Sequence, residues 1–154
     1  MALYLEDLAE GQTFLSPART LSAEAILAFA GEFDPQPFHT DPDAAEASFF
    51  EGLAASGWHT AALTMRLIVE SVPLAGGVIG AGGEIRWPKA TRPGDTLTVE
   101  SRIERIAPSR SRLERGMVTL RSETRNQHGE TVQILTANLL AFHRPADGAG
   151  LAAD

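Results

Sequence analysis

Apolar and polar residues follow two different periods along the chain. In the second half they alternate: Leu97, Val99 and Ile103 are interleaved with Thr98, Glu100, Arg102 and Glu104, and Val118 and Leu120 with Thr119 and Arg121. Such alternation puts one set on each face of a strand. The pattern predicts strands over 77–87, 96–107, 112–127 and 130–143. Pro93-Gly94-Asp95 and Gln127-His128-Gly129 carry turn chemistry, and connections this short favour antiparallel pairing. Gly80, Gly82 and Gly83 interrupt the first of these strands and mark kinks or close packing. They do not make a dinucleotide fingerprint, which runs from strand through glycines to helix.

The first half has helical spacing. Ser22 is a good N-cap, Glu24 puts an acid in the first turn, and Ile26, Leu27, Phe29 and Ala30 form an apolar stripe with Gly31 as the expected C-cap. The segment EFDPQPFHTDPD then packs three prolines between Pro35 and Pro42, which predicts a stiff loop without helix, followed by a short helix over 43–48. From Trp58 to Val72 nearly every residue is apolar or small, while His59, Arg66 and Glu70 share one narrow polar stripe. That composition predicts a buried helix, with Ser56 as its cap and Gly57 just ahead of it. The order is an early strand, helices, one long buried helix, then four strands. This is an α+β chain in which a long antiparallel sheet wraps a central helix.

At 154 residues the chain fits one domain, expected over 1–144, with a loose Ala- and Gly-rich tail over 145–154. A chain of this length, 44% hydrophobic, needs no covalent or metal staple. Thirteen basic against 20 acidic side chains give a formal charge of −7, which argues against a nucleic-acid partner. The absence of cysteine excludes disulfides, thiolate catalysis and cysteine-bound zinc or iron–sulfur groups. No apolar run approaches the length of a membrane span, and the N-terminus lacks a basic segment before an apolar one, so a cytoplasmic protein without membrane contact is expected.

The proline-rich segment carries Asp34, His39, Asp41 and Asp43. An Asp–His pair suits the addition or removal of water at a double bond, because imidazole titrates near neutrality and a carboxylate can orient it. Spacing alone leaves open that these are solvated loop residues. A metal set is weaker still, since His39 has no second histidine close by. At Ser56-Gly57-Trp58 the first N–H groups of the long helix have no internal partner, and glycine admits a ligand closely. Such a place suits a thioester carbonyl turning into an enolate; equally, Gly57 serves tight packing. Ser56 lacks the flanking glycines of a nucleophile elbow. His59 suits a second acid or base, and is read in preference as an exposed member of the polar stripe with Arg66 and Glu70. Arg86, Lys89 and Arg92 bracket the Pro88 turn and suit either the phosphates of a large acyl carrier or plain surface charge. Phe38, Trp58 and Met65 suit an acyl pocket or the core.

Taken together, FAGEFDPQPFHTDPDAA, LAASGWHTAALTMRL and RWPKATRPGDTL resemble the MaoC-like dehydratases, the group that includes the (R)-specific enoyl-CoA hydratases. The family pattern D-x-N-P-x-H-x-D is met in register by Asp34, Pro37, His39 and Asp41, with Gln36 in place of the usual Asn. The resemblance spans about Tyr4 to Arg144. It implies the hot-dog fold, at least a homodimer with sheets joined edge to edge, acyl-CoA thioesters as substrates, and no metal or redox cofactor. It puts the catalytic pair on Asp34 and His39, the carbonyl-polarising N–H on Gly57, and substrate contacts on Gln36, Phe38, Ser56 and Trp58. Some hydratases have a serine near the place of Met65. Two other readings share the fold: an acyl-CoA thioesterase, for which Glu70 is the only carboxylate on the long helix, and a non-catalytic acyl-CoA-binding subunit.

Overall fold

The computed structural model describes residues 1–146; of the expected tail over 145–154, residues 147–154 lie outside the described residues. All four long strands form, as β3 (Ile79–Arg86), β4 (Thr96–Pro108), β5 (Arg115–Arg125) and β6 (Thr131–Phe142), preceded by the short β1 (Thr13–Leu15) and β2 (Arg19–Thr20). The sheet is antiparallel in the order β1-β4-β5-β6-β3, with β2 paired to a second stretch of β4. Gly94 and Gly129 take positive φ in the turns before β4 and β6, as expected of their segments. In β3 the register shifts between Gly80 and Gly82, and a Cβ on Gly83 would lie 2.3 Å from the Thr136 carbonyl oxygen. These glycines are therefore a bulge and a close approach of strand on strand.

One face of the sheet is apolar. Leu97, Val99 and Ile103 on β4, Val118 and Leu120 on β5, and Val132, Leu139 and Ala141 on β6 form the core with Leu67, Ile68 and Val72. Leu67 and Ile68 belong to α4 (Gly57–Ser71), the long helix. Truncating a buried side chain of this kind costs about 2–5 kcal/mol, so the helix is fastened by one stripe. This is the hot-dog arrangement of a sheet curled around a helix.

The helix is not buried on all sides, as its composition suggested. Thr60, Thr64, Leu67 and Ile68 are buried, whereas Trp58, Met65 and Val69 are 60%, 40% and 56% exposed. One sheet covers one side, and no other element of the described chain covers the opposite one. Ile79 on β3, the exposed strand at the sheet's edge, is a further exposed apolar residue.

The first helix, α1 (Ala23–Phe33), starts on Ser22, whose hydroxyl accepts from the Ala25 N–H at 3.1 Å. It does not stop at Gly31. Gly31 keeps a helical backbone, and the helix ends two residues later with the Asp34 N–H donating to the Ala30 carbonyl at 2.9 Å. The extra turn carries Asp34 to the helix end, where its side chain can leave the axis.

Candidate active site

The proline-rich segment folds as two short helices, α2 (Pro37–Thr40) and α3 (Pro42–Glu46), where a loop without helix was expected. Pro37 and Pro42 each take the first helical position, where a missing N–H costs nothing and the fixed φ favours entry. Asp41 caps α3, its side chain accepting from the N–H groups of Asp43 and Ala44. Asp41 is thus a structural residue, and the helix expected over 43–48 begins one residue earlier and ends at Glu46.

The single turn of α2 turns His39 inward until it is 5% exposed. Its Nδ1 lies 2.6 Å from the Ala54 carbonyl oxygen. A carbonyl only accepts, so Nδ1 carries the hydrogen and Nε2 faces the opposite way. Nε2 stands 3.4 Å from Asp34 Oδ2. Phe38 packs edge-on against the imidazole at 4.6 Å between centroids, and Phe50 lies 5.9 Å away.

Asp34 is held from both sides. The Gln36 amide donates to Oδ1 at 2.6 Å, and the Ser56 hydroxyl donates to Oδ2 at 2.7 Å. Burial by itself would push this carboxyl up; the hydrogen bonds from Gln36 and Ser56 and the charge of His39 outweigh it and hold Asp34 below the usual carboxylate value. The extra methylene of Gln36 therefore still reaches the carboxylate.

Ser56 also caps α4, accepting from the Trp58 N–H at 3.2 Å. Among the described residues the Gly57 N–H has no hydrogen-bond partner. A Cβ on Gly57 would lie 2.7 Å from the Trp87 indole. That ring is fastened by its N–H, which donates to the buried Gln133 at 2.9 Å. Both readings of Gly57 thus have a physical basis: the backbone there is open to a ligand, and the position tolerates no side chain.

Asp34, His39 and Gly57 line one cleft of about 350 Å³ together with Trp58, Trp87, Phe49, Phe50, Thr60, Lys89 and Thr91. Of the other residues singled out, Gln36 and Ser56 touch Asp34 without lining the cleft, and Phe38 packs behind His39. Met65 lies on the exposed side of α4, outside the cleft. His59 is not on an exposed stripe. It is half-buried, stacked on Phe29 at 4.5 Å, and its Nδ1 is buried without a partner among the described residues. Arg86 pairs with Glu84 and Lys89 with Glu130, while Arg92 points inward. Phe49, Phe50, Trp87 and the hydrogen-bonded pair Thr60 and Thr91 are site residues that periodicity did not reveal. Among the described residues no three His, Asp or Glu side chains converge as metal ligands, and no helix is long and apolar enough to cross a membrane.

A family model described as MaoC-like domain matches residues 7–126. A crystal structure of a MaoC-like dehydratase from Rhodospirillum rubrum is 58% identical, with a TM-score of 0.93, covering 94% of this chain and 100% of that one. Protein YdeM of Bacillus subtilis is 34% identical over 126 residues, 80% of this chain and 87% of its own. The (R)-specific enoyl-CoA hydratase of Rhodospirillum rubrum is 30% identical over 108 residues, 70% of this chain and 74% of its own. On the family match and these identities, the chain belongs to the MaoC-like domain family.

Proposed function

We propose that the protein is a hydratase or dehydratase of acyl-CoA thioesters, interconverting an enoyl-CoA and a 3-hydroxyacyl-CoA. The observation that carries this reading is the 3.4 Å approach of Asp34 Oδ2 to His39 Nε2 in a cleft that also holds the Gly57 N–H, unpartnered among the described residues. A water taken up between the two side chains is aligned by a carboxylate and an imidazole nitrogen. Its oxygen bonds to C3, the C2=C3 electron pair moves toward C2 and the thioester carbonyl, and its proton passes to the Asp–His pair. A proton from the pair reaches C2, so that H and OH are added across the double bond. The Gly57 N–H stabilises the enolate oxygen. Gln36 and Ser56 keep Asp34 ionised and in place, Phe38 backs His39, and Trp58 borders the acyl group.

The named hydratase among the relatives supports the substrate class. In this reading the chain uses no metal or redox cofactor, coenzyme A arrives as part of the substrate, and the protein works in the cytoplasm. A homodimer completes it, with a second copy covering the β3 edge and the apolar side of α4. The thioesterase reading loses its carboxylate: Glu70 is tied to Arg19 at 2.8 Å and Arg66 at 3.0 Å and does not line the cleft.

The test is incubation with crotonyl-CoA, following loss of the conjugated enoyl absorbance and release of free thiol in parallel. Loss of absorbance with 3-hydroxybutyryl-CoA as product is expected. Free thiol without hydration would overturn the reading in favour of hydrolysis, and binding without turnover in favour of a non-catalytic subunit.

A further inference from the structure

Arg92 is half-buried, and its guanidinium reaches across to a segment some forty residues earlier in the chain. Nη1 donates to the carbonyls of Gly52 at 2.9 Å and Leu53 at 3.3 Å, and Nη2 donates to the carbonyl of Phe50. The segment needs such a clamp. Glu51 has φ 53° and Gly52 φ 147°, so the chain turns through the left-handed region with a non-glycine residue in it. Arg92 is itself anchored: its N–H donates to Asp95 Oδ2 at 2.8 Å, and Asp95 Oδ1 accepts from Gln127 at 3.0 Å.

What the clamp holds is the residue that orients the histidine. Leu53 and Ala55 flank Ala54, whose carbonyl accepts from His39 Nδ1. Arg92 fixes the Leu53 carbonyl, and the carbonyl of its neighbour Thr91 accepts from the Ala55 N–H at 2.9 Å. The same clamp sets Phe50, which lines the cleft beside His39.

We propose that Arg92 is a positioning residue for His39: by pinning residues 50–53 it aims the Ala54 carbonyl at Nδ1 and so decides which ring nitrogen faces Asp34. The proposal rests on the reading of Asp34 and His39 as the working pair. Lysine keeps the charge but lacks the planar fork that gathers three carbonyls, which makes Arg92→Lys the diagnostic variant.

The experiment is a long-range ¹H–¹⁵N spectrum of histidine-labelled protein, parent against Arg92→Lys and Arg92→Ala, with His39 assigned by its loss in His39→Gln. Melting curves and crotonyl-CoA kinetics are recorded on the same samples. The parent is expected to show the Nδ1–H form of His39. Both variants, still folded, should show that signature mixed or reversed, with kcat lowered about 10²-fold and KM changed far less. An unchanged His39 signature in folded Arg92→Lys would overturn the proposal. So would loss of fold in both variants, which would assign Arg92 to general stability. A parent idle on crotonyl-CoA would count against the hydratase reading alone, because the tautomer comparison needs no turnover.

Discussion

The Ser56 hydroxyl donates to Asp34 Oδ2 at 2.7 Å while its oxygen accepts the Trp58 N–H at 3.2 Å. One side chain thus starts the long helix and holds the carboxylate. Ser56→Ala removes both bonds. Loss of the cap should cost about 1 kcal/mol, read from the urea midpoint. Asp34 is held below the usual carboxylate value in the folded protein, so its contribution to stability is present above the unfolded value and is lost as pH falls through the folded one. Without Ser56 that value rises, and the acid limb of kcat/KM should move to higher pH. An unmoved acid limb would separate Asp34 from the titration that governs activity.

Gly57→Ala places a methyl 2.7 Å from a ring that cannot swing freely, because Trp87 is bonded to Gln133. Overpacking of this kind costs about 1–3 kcal/mol. The near-ultraviolet dichroism of Trp58 and Trp87, which meet edge to face at 5.3 Å, should change with it. A variant with parental stability and spectrum would mean that the helix start and Trp87 are not in contact.

Burial holds His59 below the ordinary histidine value of 6.5. The unfolded chain then binds a proton that the folded chain refuses, so stability should fall as pH drops below 6.5 toward the folded value. His59→Phe preserves the stack on Phe29 and removes the titration. Denaturant midpoints between pH 7.5 and 5 should slope less in the variant than in the parent. Equal slopes would place the acid sensitivity elsewhere.

The exposed side of α4 and the open edge of β3 call for a second copy in the proposed assembly. Light scattering of the parent should give about twice the mass of one chain, and Met65→Asp should lower it or make it concentration-dependent. A parent that stays monomeric at high concentration would rule that assembly out.

The strands and the long helix were legible because each is stabilised mainly by one apolar face, and such a face imposes its own period. The Asp34 and His39 pairing was legible as a motif in register. Pro37 and Pro42 misled because proline was weighed as a helix breaker when the first helical position accepts it. The exposure of Met65 and Val69 was not legible, since periodicity says which residues share a face but not what covers it. Nor were Arg92 with Phe50, or Trp87 with Gln133. Those contacts join residues more than forty positions apart and leave no local trace.

The most direct test is hydration of crotonyl-CoA by the parent beside Asp34→Asn and His39→Ala, with melting curves to show that all three are folded. Turnover in the parent and a loss of at least about 10²-fold in each variant is the result predicted by a water held between Asp34 Oδ2 and His39 Nε2. Parental rates in folded Asp34→Asn or His39→Ala would contradict it.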